Sequence, residues 1–311
     1  MAPFPGRTRG RALSRLVTAA IAAALVGTAA GTAAADGPAP AAADVSVAPP
    51  TPPAAAASSS RAASPVFPLM AVGGTSLYQY WPDGQGGFAD RKTVVSEKWR
   101  GITATVQVDH NQNGLTDGHY VRTADGTLRF THPGPTPDAP VVHDRIGGGW
   151  NIYDLIASPG NLGGAGQADL VARDTSGVLW IYMAHADGTL SDRYRVGPGW
   201  DVYTDIAGRG DLNGDGKTDI VAKDKNGVLW FYKGTGNAYD PFESRVKVGG
   251  GWDAYNLLVS SGDVNLDGRS DLLARDKSGV LWLYRGNGNA TDPFDNRVRI
   301  GGGWGQYSTM F

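Results

Sequence analysis

Gly210-Asp-Leu-Asn-Gly-Asp-Gly-Lys-Thr-Asp219 runs straight into Ile220-Val-Ala-Lys-Asp-Lys-Asn-Gly-Val-Leu-Trp-Phe-Tyr232, and the stretch closes at Gly249-Gly-Gly-Trp252. A carboxylate-rich loop, two apolar runs and a glycine–tryptophan stop make one unit, and the unit recurs. Stops of the form Gly-x-Gly-Trp end at Trp150, Trp200, Trp252 and Trp304, and Trp99 stands where an earlier copy would end, giving intervals of 51, 50, 52 and 52 residues. Val-Leu-Trp places Trp180, Trp230 and Trp282 in the same register. Two independent markers in one register exclude coincidence, so the repeat decides the fold.

Within one unit, Asp253 to Ser260 reads as a strand, the acidic loop follows, and Asp271 to Arg275 reads as a second strand. Asp276-Lys-Ser-Gly279 has the residues of a tight turn. Val280, Trp282 and Tyr284 alternate with Leu281 and Leu283, the two-residue period of a strand buried on both faces. A loop from Gly286 to Asp295 leads to a fourth strand at Arg297 to Ile300. Four short antiparallel strands in about fifty residues make a propeller blade. No segment shows a sustained helical period, and a β-solenoid or stacked sandwich is the alternative; solenoid repeats are usually shorter.

Complete units span roughly 100–150, 151–200, 201–252 and 253–304. Residues 66–99, with Leu77-Tyr-Gln-Tyr80 in place of the apolar run, supply three strands of a further blade but lack its first. The tail 305–311 matches only a first strand. Joined, the two fragments complete a fifth blade and close an all-β, five-bladed propeller of four-stranded antiparallel blades without exposed edges.

The N-terminus is a different material. Arg7, Arg9, Arg11 and Arg15 precede the small apolar run Leu16 to Ala30, and Ala33-Ala34-Ala35 offers an Ala-x-Ala cleavage site, the layout of a secretory signal peptide over 1–35. The run is short and alanine-rich for a membrane span, with an uncleaved anchor as the alternative. Residues 36–65 are nearly all Ala, Pro, Ser and Thr, a composition that reads as a disordered linker. The expectation is an exported chain with no membrane span in its mature form. The absence of cysteine means that some device other than disulfides holds a chain with 45 glycines together. A formal charge of -2 gives no reason to propose nucleic acid as a partner.

The acidic loops suggest that device. Asp211, Asn213, Asp215 and Asp219 place oxygen side chains at positions one, three, five and nine, Gly216 takes the sharp turn, and the carbonyl of Lys217 can add a ligand. Asp263, Asn265, Asp267 and Asp271 repeat the pattern in full, with Arg269 at the carbonyl position. Calcium is the expected ion at these two sites. Asp109, Asn111, Asn113 and Asp117, with Leu115 at the carbonyl position, exchange one carboxylate for an amide and should bind more weakly. The copy from Asn161 to Asp169 keeps only its glycine and last aspartate and should be empty. An EF-hand would need glutamate at position twelve, where Ala222, Ala274 and Tyr120 stand, so these loops join strands and not helices. Without a neighbouring His or Glu suited to activating water, the calcium reads as structural.

The loop and the strand after it resemble the FG-GAP or VCBS repeat of integrin-like propellers, which implies calcium held between the first two strands of a blade. Val298-Arg-Ile-Gly-Gly-Gly-Trp304 with an aromatic shortly after is similar to the tachylectin-type five-bladed lectin propeller, and Arg299 to Phe311 ends the chain in the manner of that family. That likeness implies a binding module for glycans, with N-acetylhexosamine-containing sugars as one class. The acidic loops are a departure from it.

The strand order puts the acidic loops and long third loops on one face, and the Gly-Gly-Gly-Trp connections and tight turns on the other. On that turn face each unit offers an indole (Trp150, Trp200, Trp252, Trp304) and a basic–acidic pair: Arg173-Asp174, Lys223-Asp224 and Arg275-Asp276. A sugar needs an aromatic platform for its C–H face and fixed polar groups for its hydroxyls, and this set supplies both. Trp180, Trp230 and Trp282 are read as filling the space between blades. Blade two departs with Arg122-Thr123.

Catalysis is not expected: Gly-x-Ser-x-Gly, His-Glu-x-x-His and a cysteine nucleophile are all missing. His110, His119, His132 and His143 gather in blade two, the most divergent unit, with His185 in blade three. Gly234-Thr-Gly236 and Gly286-Asn-Gly288 lie between strands, the wrong context for a phosphate-binding turn. The sequence thus points to a calcium-stabilised, non-catalytic propeller that binds carbohydrate or, as the alternative, tethers a secreted protein partner.

Overall fold

The computed structural model describes residues 64–95, 99–136 and 138–311. The segment read as a signal peptide, and all but the end of the one read as a linker, lie outside the described residues. Ser64 and Pro65, which composition assigns to the linker, belong to the fold.

Five sheets of four antiparallel strands form the blades. The second blade holds β4 (Ile102–Val108), β5 (Gly118–Thr123), β6 (Leu128–His132) and β7 (Val142–Gly147). The third holds β8 (Tyr153–Gly160), β9 (Asp169–Asp174), β10 (Leu179–Tyr182) and β11 (Tyr194–Gly197). The fourth holds β12 (Tyr203–Ala207), β13 (Ile220–Asp224), β14 (Leu229–Tyr232) and β15 (Val246–Gly249). The fifth holds β16 (Tyr255–Gly262), β17 (Asp271–Asp276), β18 (Leu281–Tyr284) and β19 (Val298–Gly301).

The first blade is shared between the chain ends. β1 (Leu69–Gly73), β2 (Ser76–Tyr80) and β3 (Lys92–Val95) come from the N-terminal side, and β20 (Thr309–Met310) lies antiparallel to β1 with Met310 opposite Ala71 and Thr309 opposite Val72. Met70 and Phe311 exchange backbone bonds of 2.9 and 3.0 Å beside that pair. The edge that the sequence left open at β1 is therefore covered. The first strands of the blades stand side by side around the axis, β4 by β8 and β12 by β16.

The core is five apolar clusters, one at each junction between blades. β18 shows how the period of two feeds them. Leu281 and Leu283 point into the junction with blade one, whereas Trp282 and Tyr284 pack toward blade four.

Two features escaped the sequence reading. Each stop tryptophan opens a single 3-10 turn: Trp150–Ile152, Trp200–Val202, Trp252–Ala254 and Trp304–Gln306. The glycine before each has φ between 81° and 88°, a left-handed conformation that only glycine adopts without strain, so the chain curls before the first strand begins. The first strand of blade five accordingly starts at Tyr255, two residues later than its expected start at Asp253. The second feature is the segment Ser64 to Phe67, which crosses the acidic-loop end of the axis. Val66 N–H donates to Gly114 O at 2.7 Å, Phe67 N–H to Ser261 O at 2.9 Å, and Asp263 N–H to Pro65 O at 2.7 Å. A Cβ on Gly262 would stand 1.8 Å from Pro65 O, so the crossing requires glycine there.

Removing residues 305–311 strips buried Tyr307 and Met310 from the junction of blades five and one and exposes β1. Two large buried side chains and an opened edge cost together about 5 kcal/mol or more. Thermal melting of the chain ended at Trp304 should show a large fall in Tm; melting together with the intact chain would contradict closure by β20.

Candidate functional site

In blade four the acidic loop is wound around its own carboxylates. Asp211 accepts the amides of Asn213 and Gly214 on Oδ1 (3.1 and 2.5 Å) and that of Gly216 on Oδ2 (2.8 Å). Asp219, fully buried, accepts from Leu212 and Asn213 N–H on Oδ2 and reaches the third loop through Gly234 N–H on Oδ1 at 2.8 Å. Blade five repeats this: Asp263 accepts from Asp267 and Gly268 N–H, and Asp271 accepts from Val264 and Gly286 N–H. In blade two Asp109 accepts from Asn113 and Gly114 N–H, and Asp117 from Asn111. In blade three, where most carboxylates are lost, Asp169 still accepts from Gly163 and Ala184 N–H at 2.6 and 3.2 Å. The last aspartate is thus the pivot of every loop.

Burial makes these groups reluctant to ionise. It pushes Asp219 and Asp271 up to about 7, with the neighbouring loop carboxylates adding to the rise, and Asp109, Asp169 and Asp263 up to about 6. A cation is the usual remedy for crowded, desolvated carboxylates. The donor set is all oxygen, as a hard cation needs, and Asn265 Oδ1 in blade five is buried with no hydrogen-bond donor among the described residues, as a metal-facing amide oxygen would be. The carboxylates nonetheless turn to loop amides, and among the described residues no three Asp, Glu or His side chains are gathered tightly enough to ligate a metal by themselves. In blade four Lys233 Nζ stands 3.4 Å from Asp215 Oδ2 and competes for that carboxylate. The side chains of Lys217 and Arg269 point to solvent and Leu115 is half-buried, so all three remain candidates through their carbonyls alone.

At the turn face the indoles proposed as platforms are interior. Trp150, Trp200, Trp252 and Trp304 are only 6 to 8% exposed and stack on the tyrosines of the blade junctions, Trp150 on Tyr182 at 4.6 Å and Trp252 on Tyr284 at 4.6 Å. The basic partners are committed as well. Arg173 Nη1 donates to Trp200 O and Tyr203 O at 3.0 and 2.5 Å, and Arg275 Nη1 to Trp304 O and Tyr307 O at 3.2 and 2.6 Å. Lys223 Nζ donates to Tyr255 O at 2.8 Å and pairs with Asp205 at 2.9 Å. Asp174, Asp224 and Asp276 cap their turns and accept the indole N–H of Trp180, Trp230 and Trp282 at 2.8, 2.9 and 2.8 Å.

What remains toward solvent is the other set of tryptophans. Trp180, Trp230 and Trp282 are half-buried against the junction clusters, and a guanidinium lies over each: Arg193 at 4.0 Å, Arg245 at 4.0 Å and Arg297 at 4.2 Å from the ring centre. Blade one has Arg91 over Tyr78 at 4.5 Å. Each arginine also donates to a tyrosine hydroxyl of the preceding junction, as Arg193 does to Tyr153 at 2.9 Å, and that hydroxyl bonds a second one, Tyr182 at 2.5 Å. Blade two has Arg129 where the tryptophan would stand.

Residues 211–274 match the family model of the FG-GAP-like repeat. The match begins at the first aspartate of the blade-four loop and ends in β17, so it takes in both complete acidic loops. Among curated proteins none matches the chain significantly. Solved structures that resemble it include the BP39L lectin from Burkholderia pseudomallei, at 14% identity over 78% of this chain and 71% of that one with a TM-score of 0.41. An AofleA mutant from Arthrobotrys oligospora resembles it at 9% identity over 77% of this chain and 73% of that one, TM-score 0.42. BBS1N, solved in complex with ARL6DN, does so at 14% identity and TM-score 0.38; the match covers 77% of this chain and 66% of that one, just under two thirds.

The stacked arginines were missed, although a signal was present: arginine stands seven residues before the stop tryptophan in each of the last three blades, where blade two has His143. The blade-two histidines are partly interior. Burial pushes His110 down to about 4 and His119 down to about 3, and neither His110 Nδ1 nor His119 Nε2 has a hydrogen-bond partner among the described residues.

His119 gives a signed pH dependence. Its folded value lies below the ordinary 6.5, so below about pH 6.5 the unfolded chain takes up a proton that the folded chain refuses. Stability therefore falls as pH drops through that window, by up to about 1.4 kcal/mol per pH unit. With calcium held constant, the intact protein should lose about 2 kcal/mol more than His119→Leu between pH 7 and 5 in urea denaturation. Parallel pH profiles would contradict a neutral buried His119.

Proposed function

We propose that the chain is an exported, non-catalytic binding propeller whose outer rim engages carbohydrate at several equivalent places, with calcium in the FG-GAP-like loops fastening the blades. The observation that carries this reading is the aromatic–guanidinium unit repeated in register at Tyr78/Arg91, Trp180/Arg193, Trp230/Arg245 and Trp282/Arg297. A half-exposed ring offers a surface for a sugar's C–H face, and the planar guanidinium beside it offers donors for hydroxyls. Single sites of this kind are weak, and repetition around a ring gains strength on a surface that displays many copies of one glycan. The tryptophans first favoured from sequence do not enter this site, because they are interior.

Calcium would be held by Asp263, Asn265, Asp267, Asp271 and the Arg269 carbonyl in blade five. In blade four the holders are Asp211, Asn213, Asp215, Asp219 and the Lys217 carbonyl. Asp109, Asn111, Asn113, Asp117 and the Leu115 carbonyl form a weaker third set. Bound there, the ion supplies the positive charge that lets crowded aspartates ionise. Export is supported by the basic and apolar N-terminal sequence. A protein partner is the second reading, favoured by Ile152 and Val202, which hold the same place in successive 3-10 turns and are 45% and 41% exposed.

Two measurements test this. On a glycan array the protein should bind a defined glycan class, and Arg193→Gln, Arg245→Gln and Arg297→Gln should weaken it cumulatively. No glycan signal, with one secreted protein co-purifying, would favour the scaffold reading. Chelator should lower Tm, and Asp263→Ala with Asp267→Ala should remove much of that response; a Tm indifferent to chelator would contradict the calcium sites.

A further inference from the structure

The first strands of the blades enclose an axial funnel of about 700 Å3, within the range of small-ligand pockets. It opens on the turn face, where Asp154 and Thr204 are exposed, and its wall carries Ala104, Leu155, Ala157, Leu257 and Val259. At its inner end stands Arg209. The same guanidinium borders a smaller cavity of about 130 Å3 on the acidic-loop side, so Arg209 is the partition between the two.

Arg209 is 8% exposed. Its Nε donates to Ser260 O and its Nη1 to Gln107 O, both at 3.0 Å, and the guanidinium lies 4.2 Å from the ring centre of Phe67. Its Nη2 donates to no described residue. Among the described residues it forms no ion pair: the acidic side chains engaged in such pairs serve other bases. Asp109 attracts it only from beyond contact, and its charge further disfavours protonation of His119. Burial without a counter-ion holds Arg209 well below its usual range.

A buried guanidinium stays charged, and a buried charge without a partner is costly unless something else supplies the opposite sign. Neutral carbonyls and the Phe67 ring recover part of that cost. A fully apolar partition would avoid it, so the placement of a cation at the end of an open funnel is informative. We propose that the axial funnel is a binding site for a small organic anion, with its oxyanion head on Nη2 of Arg209 and its body along the inner-strand wall. Carboxylates and phosphates share the required chemistry. The site is separate from the rim units, which lie on the third strands away from the axis.

The test uses the full chain and isothermal titration with hexanoate, hexanamide, acetate and inorganic phosphate. Hexanoate should bind, the isosteric but uncharged hexanamide should not, and Arg209→Met should weaken hexanoate about tenfold or more, the loss of a charge-assisted contact. Ala104→Trp should block the funnel with Arg209 in place. Preference for phosphate over acetate assigns the head to phosphate esters, and the reverse assigns it to carboxylic acids. The proposal is overturned if no anion binds the intact protein, if hexanamide binds as well as hexanoate, or if Arg209→Met binds unchanged. Should Arg209→Met fail to fold, hexanamide and Ala104→Trp still decide. Glycan-array signals should be unaffected by Ala104→Trp, which keeps this outcome apart from that of the rim sites.

Discussion

Each of the four complete blades is tied to the next by one basic side chain at the end of its second strand. Arg122 Nη1 reaches Trp150 O and Tyr153 O at 3.0 and 2.5 Å, and Arg173 and Arg275 do the same one and three blades on. Lys223 has only a point charge and reaches one carbonyl, with Asp205 completing its shell. The carbonyls concerned begin and follow the 3-10 turn; the tryptophan carbonyl accepts the turn's own bond from the tyrosine N–H, and the arginine adds a charged donor to it and to the tyrosine carbonyl. The clamp therefore fixes the turn, the turn buries the stop tryptophan, and the tryptophan packs the tyrosines whose hydroxyls position the rim arginines.

The two ends of the unit vary independently. Blade three has lost most of its acidic loop yet keeps the Arg173 clamp and the Trp180/Arg193 unit, with Asp169 and Asn161 accepting the loop's amides. Blade two keeps three loop positions and the Arg122 clamp but has Arg129 where the rim tryptophan would be. A blade can thus lose either its cation loop or its rim unit and still stand in the ring. The clamp is common to all four complete blades, although blade four makes it with lysine.

Much of this architecture was legible because repetition magnifies weak signals. The spacing of the stop tryptophans gave the blade count, and the tail after Trp304 gave the closure that β20 makes with β1. The roles of the two tryptophan sets were not legible, since both recur with the same period and period alone does not distinguish inside from rim. What separates them is the left-handed glycine before each stop, which turns Trp252 inward, and the pleat of β18, which leaves Trp282 beside Arg297. Arg173 and Arg275 looked like ligand groups because their carbonyl partners lie about thirty residues away across a junction. The Ser64 to Phe67 crossing and the isolation of Arg209 are also long-range facts, invisible to local pattern.

The clamp is tested most directly by urea denaturation of Arg173→Met, which keeps the stem and removes the donors. Withdrawing the charged donor from Tyr203 O and from Trp200 O, which keeps only the turn's own bond from Tyr203 N–H, should cost about 2 to 5 kcal/mol in a single cooperative transition. A loss within about 0.5 kcal/mol of the intact protein, the size of an ordinary surface change, would contradict the account.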